Sequence, residues 1–424
     1  MPALHRREFL ASSVGGLAAW SIGSSLLAQD TQSANPAEQT SDARIDPTSL
    51  FLTWQRDPTT TMTVQWVGPE TSSDTTVRYV TRTGDVWQYA KIIQQPFPAT
   101  DLKVHRSEMS GLSPGVEYIF QIGKASPFYR FRTMPAKATN TIQFVSGGDC
   151  GTGEHAIGTN ILAAKQEPHF ALLGGDLAYD NGRSPKTFLT FLENYRRHMV
   201  DPKGRLIPML SCLGNHEVDG GYKKKREQAP QYLSLFGGFF SDATYGVLDV
   251  GDYLSLVLLD TGHIAPIGGE QTDWLESALA DRQERQHLIV ANHVPAYPSY
   301  RAPEGSKGAF GAGEANRIHW CPLFEKYKVD AVLEHHDHTF KRTHPLTDGR
   351  PDKNGVLYLG DGSWGKLRVP KKPEQRPYLA AVSKAYHVSV HRLEGDQRFH
   401  VALEESGRVA DVCMTAGKRP SRRG

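Results

Sequence analysis

Side chains that can bind metal ions follow a series of apolar runs between residues 141 and 345. Each run has the length and content of a buried strand, and five of them end in carboxylate, imidazole, phenol or amide groups. They are QFVSGGDCG with Asp149, ALLGGDLAY with Asp176 and Tyr179, MLSCLGNHE with Asn215 and His216, LIVANHVP with His293, and AVLEHHDHTF with His335, His336 and His338. Because active sites of open α/β sheets lie beyond the carboxyl ends of their strands, we expect these groups at one edge.

The kind and number of these donors predict a metal centre. A single aspartate or histidine at a strand end commonly caps a helix or bonds to its own loop, but five strands that end this way favour a shared ligand. Oxygen and nitrogen donors without thiolates suit iron, zinc and manganese. The donors are too many for one tetrahedral ion, and they fit two ions that share a bridging carboxylate.

Two patterns along the chain predict the elements that position this centre. Between Phe51 and Thr133 apolar and polar residues alternate and turn sequences separate the runs, which predicts an antiparallel β-sandwich over residues 47–135. From residue 140 to residue 404, continuous apolar runs alternate with helix-like stretches such as TFLTFLENYRRHM. Strands that are apolar on both faces belong to a covered sheet, so this region is predicted as an α/β domain of the α/β/β/α type.

Both ends of the chain are predicted to lie outside these domains. Arg6 and Arg7 precede a short, weakly apolar stretch that ends near Ala28, a pattern typical of a twin-arginine signal peptide over residues 1–28. A membrane anchor is the alternative, but the stretch is short and diluted by small residues. Residues 29–46 are predicted as a polar linker and residues 405–424 as a polar, basic tail. The mature protein is therefore expected in the periplasm or secreted, without a transmembrane segment.

Composition argues against several classes of partner. The chain has 424 residues and a formal net charge of +2, too small to indicate nucleic acid or an anionic membrane as partner. The four cysteines, Cys150, Cys212, Cys321 and Cys413, include no Cys-x-x-Cys pair, so buried thiols are expected, with one incidental disulfide at most. The sequence does not indicate an oligomeric state.

The ordered motifs resemble those of the purple acid phosphatases, within the calcineurin-like metallophosphoesterases. The motifs GD-x-G, GD-x-x-Y, GNH-E, V-x-x-H and H-x-H begin here at Gly148, Gly175, Gly214, Val290 and His336. The likeness spans residues 141–345, and the N-terminal sandwich resembles the fibronectin-III-like domain that often precedes this catalytic domain. Five motifs in the same order make the match specific.

The resemblance implies which residues hold each ion. The ligands it implies are Asp149, Tyr179 and His338 for a first, ferric ion; Asn215, His293 and His336 for a second ion of iron, zinc or manganese; and Asp176 as the bridge between them. Many metallophosphoesterases have D-x-H in the first motif, but Gly151 stands at that position here. The Tyr179 phenolate is expected to replace the missing imidazole, and Cys150 is expected to pack without binding a metal.

The implied activity is hydrolysis of a phosphate ester by hydroxide bound to or between the two ions. No serine, cysteine or aspartate nucleophile has a motif of its own, so a phosphoenzyme is not expected. His216 is the candidate catalytic residue, which would bind the phosphoryl oxygens or protonate the leaving group. Glu217 and Asp337 are expected to orient the ligand imidazoles. His335 replaces a glycine of the family and is expected to turn away from the ions.

Three functions are compatible with these residues. A phosphomonoesterase that acts on a phosphorylated small molecule or polymer is favoured, and a phosphodiesterase or nucleotidase would use the same motifs. A surface-binding protein with a vestigial site is disfavoured, because all seven implied ligands are present. The segment 294–320 is rich in glycine and proline and is expected to form a pocket wall, with candidate substrate contacts at Tyr297, Arg301, Lys307 and His319.

Overall fold

A computed structural model describes residues 46–138, 141–237, 239, 243–305 and 311–417. The predicted signal peptide and the linker up to residue 45 lie outside these residues. So do Lys307 and the last seven residues of the predicted tail. No helix within the described ranges is long and apolar enough to cross a membrane.

Eight strands form the N-terminal β-sandwich. Their bounds are β1 (Phe51–Thr53), β2 (Thr61–Gly68), β3 (Thr76–Thr81), β4 (Gln88–Lys91), β5 (Ile93–Pro96), β6 (Lys103–Ser110), β7 (Glu117–Ile122) and β8 (Tyr129–Arg132). They pair in two sheets with the orders β1-β2-β6-β5 and β4-β3-β7-β8. In β7 the side chains of Tyr118, Phe120 and Ile122 are buried, because alternate residues of a strand point to the same face.

Fifteen further strands lie in the described part of the catalytic domain. Their bounds are β9 (Ile142–Gly147), β10 (Ala171–Leu173), β11 (Met209–Ser211), β12 (Gly246–Val250), β13 (Leu254–Leu259), β14 (His287–Asn292), β15 (Ala331–Glu334), β16 (Phe340–Thr343), β17 (Leu346–Thr347), β18 (Arg350–Pro351), β19 (Leu357–Asp361), β20 (Leu379–Ser383), β21 (His387–Glu394), β22 (Gln397–Glu404) and β23 (Val409–Thr415). One sheet has the order β11-β10-β9-β21-β22-β23 and the other β12-β13-β14-β15-β19-β16-β20, while β17 and β18 form a small hairpin.

Helices cover these sheets. The α-helices among the described residues are α1 (Glu154–Lys165), α2 (Pro185–His198), α3 (Pro230–Phe236), α4 (Glu270–Ala280), α5 (Glu314–His319) and α6 (Cys321–Lys326), with 3₁₀ turns at Asn215–Glu217, Arg226–Gln228 and Pro373–Gln375. Helix α1 packs against α2 and β21. On the other sheet, Leu275 and Leu279 of α4 and Phe324 of α6 share one buried cluster with Val257 and Val290. Apolar strands and apolar helix faces thus bury each other, which confirms the predicted order of a β-rich domain followed by an α/β domain.

The sandwich packs directly on the catalytic domain. Arg106 of β6 donates from Nη2 to the carbonyl oxygen of Leu235 at 3.2 Å, and Gln95 of β5 donates to that of Ser234 at 2.6 Å. The rings of Phe51 and Phe236 lie 5.6 Å apart between centroids. These contacts fix helix α3 against the sandwich.

The predicted tail boundary at residue 405 is too early. Residues 409–415 form β23, which pairs antiparallel with β22 and places Cys413 opposite His400. This strand lies at the edge of its sheet, and Val412 and Met414 remain exposed. The polar, basic composition of this end predicts a solvated tail, and β23 gives only a weak apolar pattern because a strand at the edge of a sheet buries little apolar surface. The structure describes all four cysteines, and none of them is paired.

Candidate metal centre

The implied ligands converge at the carboxyl ends of parallel strands from both sheets of the catalytic domain. Strands β9, β10 and β11 run parallel in one sheet, and β14, β15 and β19 run parallel in the other. Asp149, Asp176 and Asn215 follow the first three strands, while His293 and the His336–His338 loop follow β14 and β15. The arrangement agrees with the expectation that loops at this edge carry the chemistry.

The first group of donor atoms consists of Asp149, Tyr179 and His338. Asp149 Oδ1 lies 3.2 Å from Tyr179 Oη and 3.0 Å from His338 Nε2. Tyr179 Oη lies 3.1 Å from the same His338 nitrogen. A carboxylate, a phenol and an imidazole therefore meet at one point, and these are the three residue types implied for the ferric ion.

The second group consists of Asn215, His293 and His336. His293 Nε2 lies 3.2 Å from Asn215 Oδ1 and 3.0 Å from His336 Nδ1. Asp176 Oδ1 lies 3.3 Å from the same His293 nitrogen. One donor atom from each of Asp149, Asp176, His293 and His336 lies within 4.8 Å of the others, so the two groups adjoin each other.

This donor set fits two cations. The Oδ2 atom of Asp176 is buried and has no hydrogen-bond partner among the described residues, an arrangement that is costly unless a cation completes it. Burial and the neighbouring His293 lower the pKa of His336, which keeps its ring neutral and able to bind a metal. Burial and the carboxylates of Asp149 and Asp176 raise the pKa of the Tyr179 phenol, so deprotonation there requires a nearby positive charge.

Metal binding must displace a proton from His293. Burial works to lower the pKa of this imidazole, but the adjacent Asp176 outweighs burial and raises it to about 9. A metal ligand must be a neutral imidazole, so a bound ion would release that proton. Affinity for the second ion should therefore fall as the pH falls.

Five of the seven implied ligands have a left-handed backbone. Their φ angles are 57° for Asp149, 54° for Asp176, 60° for Tyr179, 70° for His336 and 57° for His338. This conformation costs about 1–2 kcal/mol for a residue with a Cβ atom. Such strain persists only where surrounding contacts fix the chain, and it is concentrated at functional sites.

The side chain of Glu217 holds the loop that carries Asp176 by binding backbone N–H groups. This corrects the expectation that Glu217 orients a ligand imidazole. Its buried carboxylate accepts hydrogen bonds from the backbone N–H groups of Asp176 at 2.8 Å, Leu177 at 2.6 Å and Gly214 at 2.8 Å. The 3₁₀ turn at Asn215–Glu217 directs this side chain back under the neighbouring loop. Sequence spacing identified the residue but not its partners, two of which lie in the loop after β10.

Asp337 likewise does not orient an imidazole. It accepts hydrogen bonds from the backbone N–H of Tyr300 at 2.7 Å and from Arg301 Nη1 at 2.9 Å. Arg301 also donates to the carbonyl oxygen of His336. Asp337 therefore ties the loop that contains Tyr300 and Arg301 to the loop that carries His336 and His338.

His335 packs beneath the donor groups, as expected. Its Nδ1 lies 2.9 Å from the carbonyl oxygen of Asn292, and the residue is buried. A Cβ atom at Gly174 would lie 1.8 Å from this imidazole, and one at Gly148 would lie 2.8 Å from it. Gly148 of the first motif and Gly174, which directly precedes the second motif, thus provide the space that His335 fills.

His216 lies at the mouth of the site. Its ring stacks against that of Tyr179 with 4.3 Å between centroids, and its Nδ1 contacts Asn181 Oδ1. The Nε2 atom lies 3.9 Å from Asp176 Oδ2, and about a third of the side chain is exposed. The structure therefore brings the candidate catalytic residue within reach of a substrate bound at the two groups.

The sequence reasoning missed Tyr222 and His263. Tyr222 Oη lies 3.2 Å from His336 Nε2, the nitrogen that does not face His293. The His263 ring lies 4.7 Å from that of Tyr222 and 5.6 Å from that of His293. Neither residue belongs to one of the five motifs, so only the folded chain reveals their proximity.

The segment 362–368 was also missed, although it follows the apolar run GVLYL in the same way as the other motifs. A Cβ atom at Gly362 would lie 2.7 Å from Asp149 Oδ2. The backbone N–H of Gly365 donates to the Asp149 carbonyl oxygen at 3.1 Å, and that of Arg368 donates to the His338 carbonyl oxygen at 2.7 Å. This segment could have been predicted from the sequence, because it follows the carboxyl end of an apolar strand, β19.

The proposed pocket wall contains one candidate that borders the site. Arg301 lines a pocket of about 340 Å³ together with Tyr222 and His336. Tyr297 is instead buried, with its ring 4.6 Å from that of Tyr358, and is excluded as a substrate contact in this conformation. His319 is exposed at the end of α5.

We predict that Glu217→Ala lowers the free energy of unfolding by roughly 3–5 kcal/mol, because three buried N–H groups lose the carboxyl oxygens that accept their hydrogen bonds. Urea unfolding followed by circular dichroism measures the change. Glu227→Ala is the matched control, since Glu227 is an exposed glutamate that follows closely in the chain. Equal stability of the two variants would contradict the role assigned to Glu217.

Comparison with known families agrees with this geometry. The family model described as purple acid phosphatase, N-terminal domain, matches residues 47–133. The model described as calcineurin-like phosphoesterase matches residues 148–340. The second range includes all seven implied ligands.

Individual relatives are similar over more than half of the chain. Purple acid phosphatase 21 of Arabidopsis thaliana is 26% identical over 342 residues, which is 75% of this chain and 73% of the relative. Probable purple acid phosphatase 20 of the same plant is 28% identical over 60% of this chain and 59% of its own length. The solved purple acid phosphatase PPD1 from yellow lupin superposes with a TM-score of 0.71 at 19% identity, covering 87% of this chain and 74% of that one, and this likeness shows the fold.

Two adjoining donor groups, both family models and these relatives lead to one assignment. The chain combines a purple acid phosphatase N-terminal domain with a calcineurin-like phosphoesterase domain and is similar to purple acid phosphatases, and its activity is phosphate ester hydrolysis.

Proposed function

We propose that the protein is an exported phosphomonoesterase that works with a dinuclear metal centre. The observation that carries this proposal is the pair of adjoining donor groups with the Asp176 carboxylate beside them. Asp149, Tyr179 and His338 would hold a ferric ion, and Asn215, His293 and His336 would hold iron, zinc or manganese. Asp176 would bridge the two. The bound ions would lower the pKa of a water molecule and neutralise charge on the phosphoryl group.

Residues other than the implied metal ligands would bind the substrate, transfer a proton and hold the ligand loops in place. His216 is part-exposed beside Asp176 and Tyr179, which suits it to bind a phosphoryl oxygen or to give a proton to the departing alcohol. Glu217 and Asp337 keep the ligand loops in place through backbone and arginine contacts. The Tyr222 hydroxyl beside His336 Nε2 would hold that ring in the orientation that directs Nδ1 toward the ion.

We predict that Asp176→Ala and His293→Ala each lower turnover of an aryl phosphate by about 10³-fold or more, because loss of one electrostatic stabiliser already costs roughly 10²–10³-fold. Metal analysis should find two ions per chain in the natural protein and fewer in the variants. His319→Ala is the control, since this exposed histidine is in neither donor group. Wild-type turnover by Asp176→Ala would refute the proposed centre.

We predict that the metal-loaded protein is coloured and that Tyr179→Phe bleaches it. A phenolate bound to ferric iron gives a charge-transfer band in visible light, and phenylalanine removes the phenolate oxygen. The measurement is an absorption spectrum beside iron analysis. Tyr222→Phe is the matched control, because Tyr222 contacts the second donor group and should leave the band in place. Persistence of the band in Tyr179→Phe would exclude Tyr179 as its source.

Export is proposed from the paired arginines before the short apolar stretch. We predict that replacing Arg6 and Arg7 together by lysine retains the precursor in the cytoplasm of a host with a twin-arginine pathway. The natural chain should instead be recovered outside the cytoplasm, with its N-terminus near Gln29 by mass spectrometry. Normal export and processing of the double-lysine variant would contradict the proposed route.

A further inference from the structure

The segment that follows β19 is attached to both sides of the first donor group. Its Gly365 N–H donates to the Asp149 carbonyl oxygen at 3.1 Å, and its Arg368 N–H donates to the His338 carbonyl oxygen at 2.7 Å. Trp364 anchors the same segment, since its buried indole donates to Asn160 Oδ1 at 2.9 Å. Lys366 lies between these fixed points, so its backbone position is set by the site itself.

The side chain of Lys366 reaches the first donor group. Its ammonium nitrogen lies 4.5 Å from the centroid of the Tyr179 ring. Gly151, with a φ angle of 71°, makes room for it, because a Cβ atom there would lie 3.1 Å from Lys366 Cε. A residue with a side chain at position 151 would press on the lysine and would touch the Tyr179 ring at 3.7 Å. Gly151, the fourth residue of the GD-x-G motif, thus leaves room for the lysine side chain.

The positive charge of Lys366 is not neutralised by the described part of the chain. Arg301 is paired with Asp337 at 2.9 Å, and the guanidinium of Arg368 packs on the Tyr300 ring at 4.8 Å. The ammonium of Lys366 has no hydrogen bond or ion pair with any described residue, and it packs over the Tyr179 ring. An ammonium held beside two expected metal ions, with three free donors, is suited to an anionic ligand.

We propose that Lys366 binds the phosphoryl group of the substrate and selects dianionic phosphomonoesters over monoanionic diesters. This inference rests on the proposed function, and it adds a specificity residue outside the five motifs. A monoester carries close to two negative charges near neutral pH, since its second pKa is about 6, whereas a diester carries one. The additional anionic oxygen is the group that Lys366 would bind, and a diester has an alkyl or aryl substituent in its place.

Three variants test the proposal. Lys366→Met removes the charge and keeps the length of the side chain, and Lys366→Arg keeps the charge. Lys372→Met is the matched control, because Lys372 is an exposed lysine later in the same connection to β20. Calorimetry of the metal-loaded proteins measures the dissociation constant of inorganic phosphate, and steady-state kinetics gives kcat/KM for an aryl phosphate and for the corresponding aryl methyl phosphate diester.

Lys366→Met should weaken phosphate binding by about 10- to 100-fold, the range expected for one hydrogen bond to a charged group. The ratio of kcat/KM for monoester over diester should fall by a similar factor, and Lys366→Arg and Lys372→Met should keep values near those of the natural protein. Unchanged phosphate affinity and an unchanged ratio in Lys366→Met, with normal metal content, would overturn the role of Lys366 alone. A natural protein that binds two ions but hydrolyses neither ester would overturn the proposed function, while the phosphate titration would still test Lys366.

Discussion

The buried carboxylate of Glu217 is the contact on which the rest of the centre depends. It joins the loop after β10, through the N–H groups of Asp176 and Leu177, to the loop after β11, through that of Gly214. A buried carboxyl group is tolerated only when its oxygens are hydrogen-bonded, and here backbone donors from two loops satisfy them. The carboxylate of Asp176 is held in turn by the N–H of His216 at 2.8 Å. Both loops are therefore fixed before any ion binds.

Close approach of the loops explains the glycines of the motifs. Gly175 has a φ angle of 91°, and a Cβ atom there would lie 2.6 Å from the backbone nitrogen of Gly214. A side chain at either position would force apart the loops that carry Asp176 and Asn215. The ligands themselves adopt left-handed backbone angles at five positions, and the surrounding contacts hold them there. Binding of two cations would offset part of that strain and part of the cost of burying two carboxylates.

The donor groups are asymmetric in their surroundings. The His336 side of the site meets Tyr222, His263 and the neutralised pair of Arg301 and Asp337. The Tyr179 side meets His216 and the unpaired ammonium of Lys366. The ammonium of Lys366 therefore lies on the side implied for the ferric ion.

The sequence by itself determined the order of the domains, and it predicted the donor residues that meet at the strand ends. Apolar runs that end in Asp, Asn, Tyr and His carry this information locally, because strand periodicity and strand-end chemistry are visible over ten residues. The edge strand β23 was not predicted, because a strand at the edge of a sheet buries little apolar surface and so has a weak apolar pattern. The partners of Glu217 and Asp337, and the nearness of Tyr222, His263 and Lys366, were decided only by the tertiary structure. These contacts join residues far apart in the chain. A local sequence pattern does not predict which loops lie next to each other at the edge of the folded sheet.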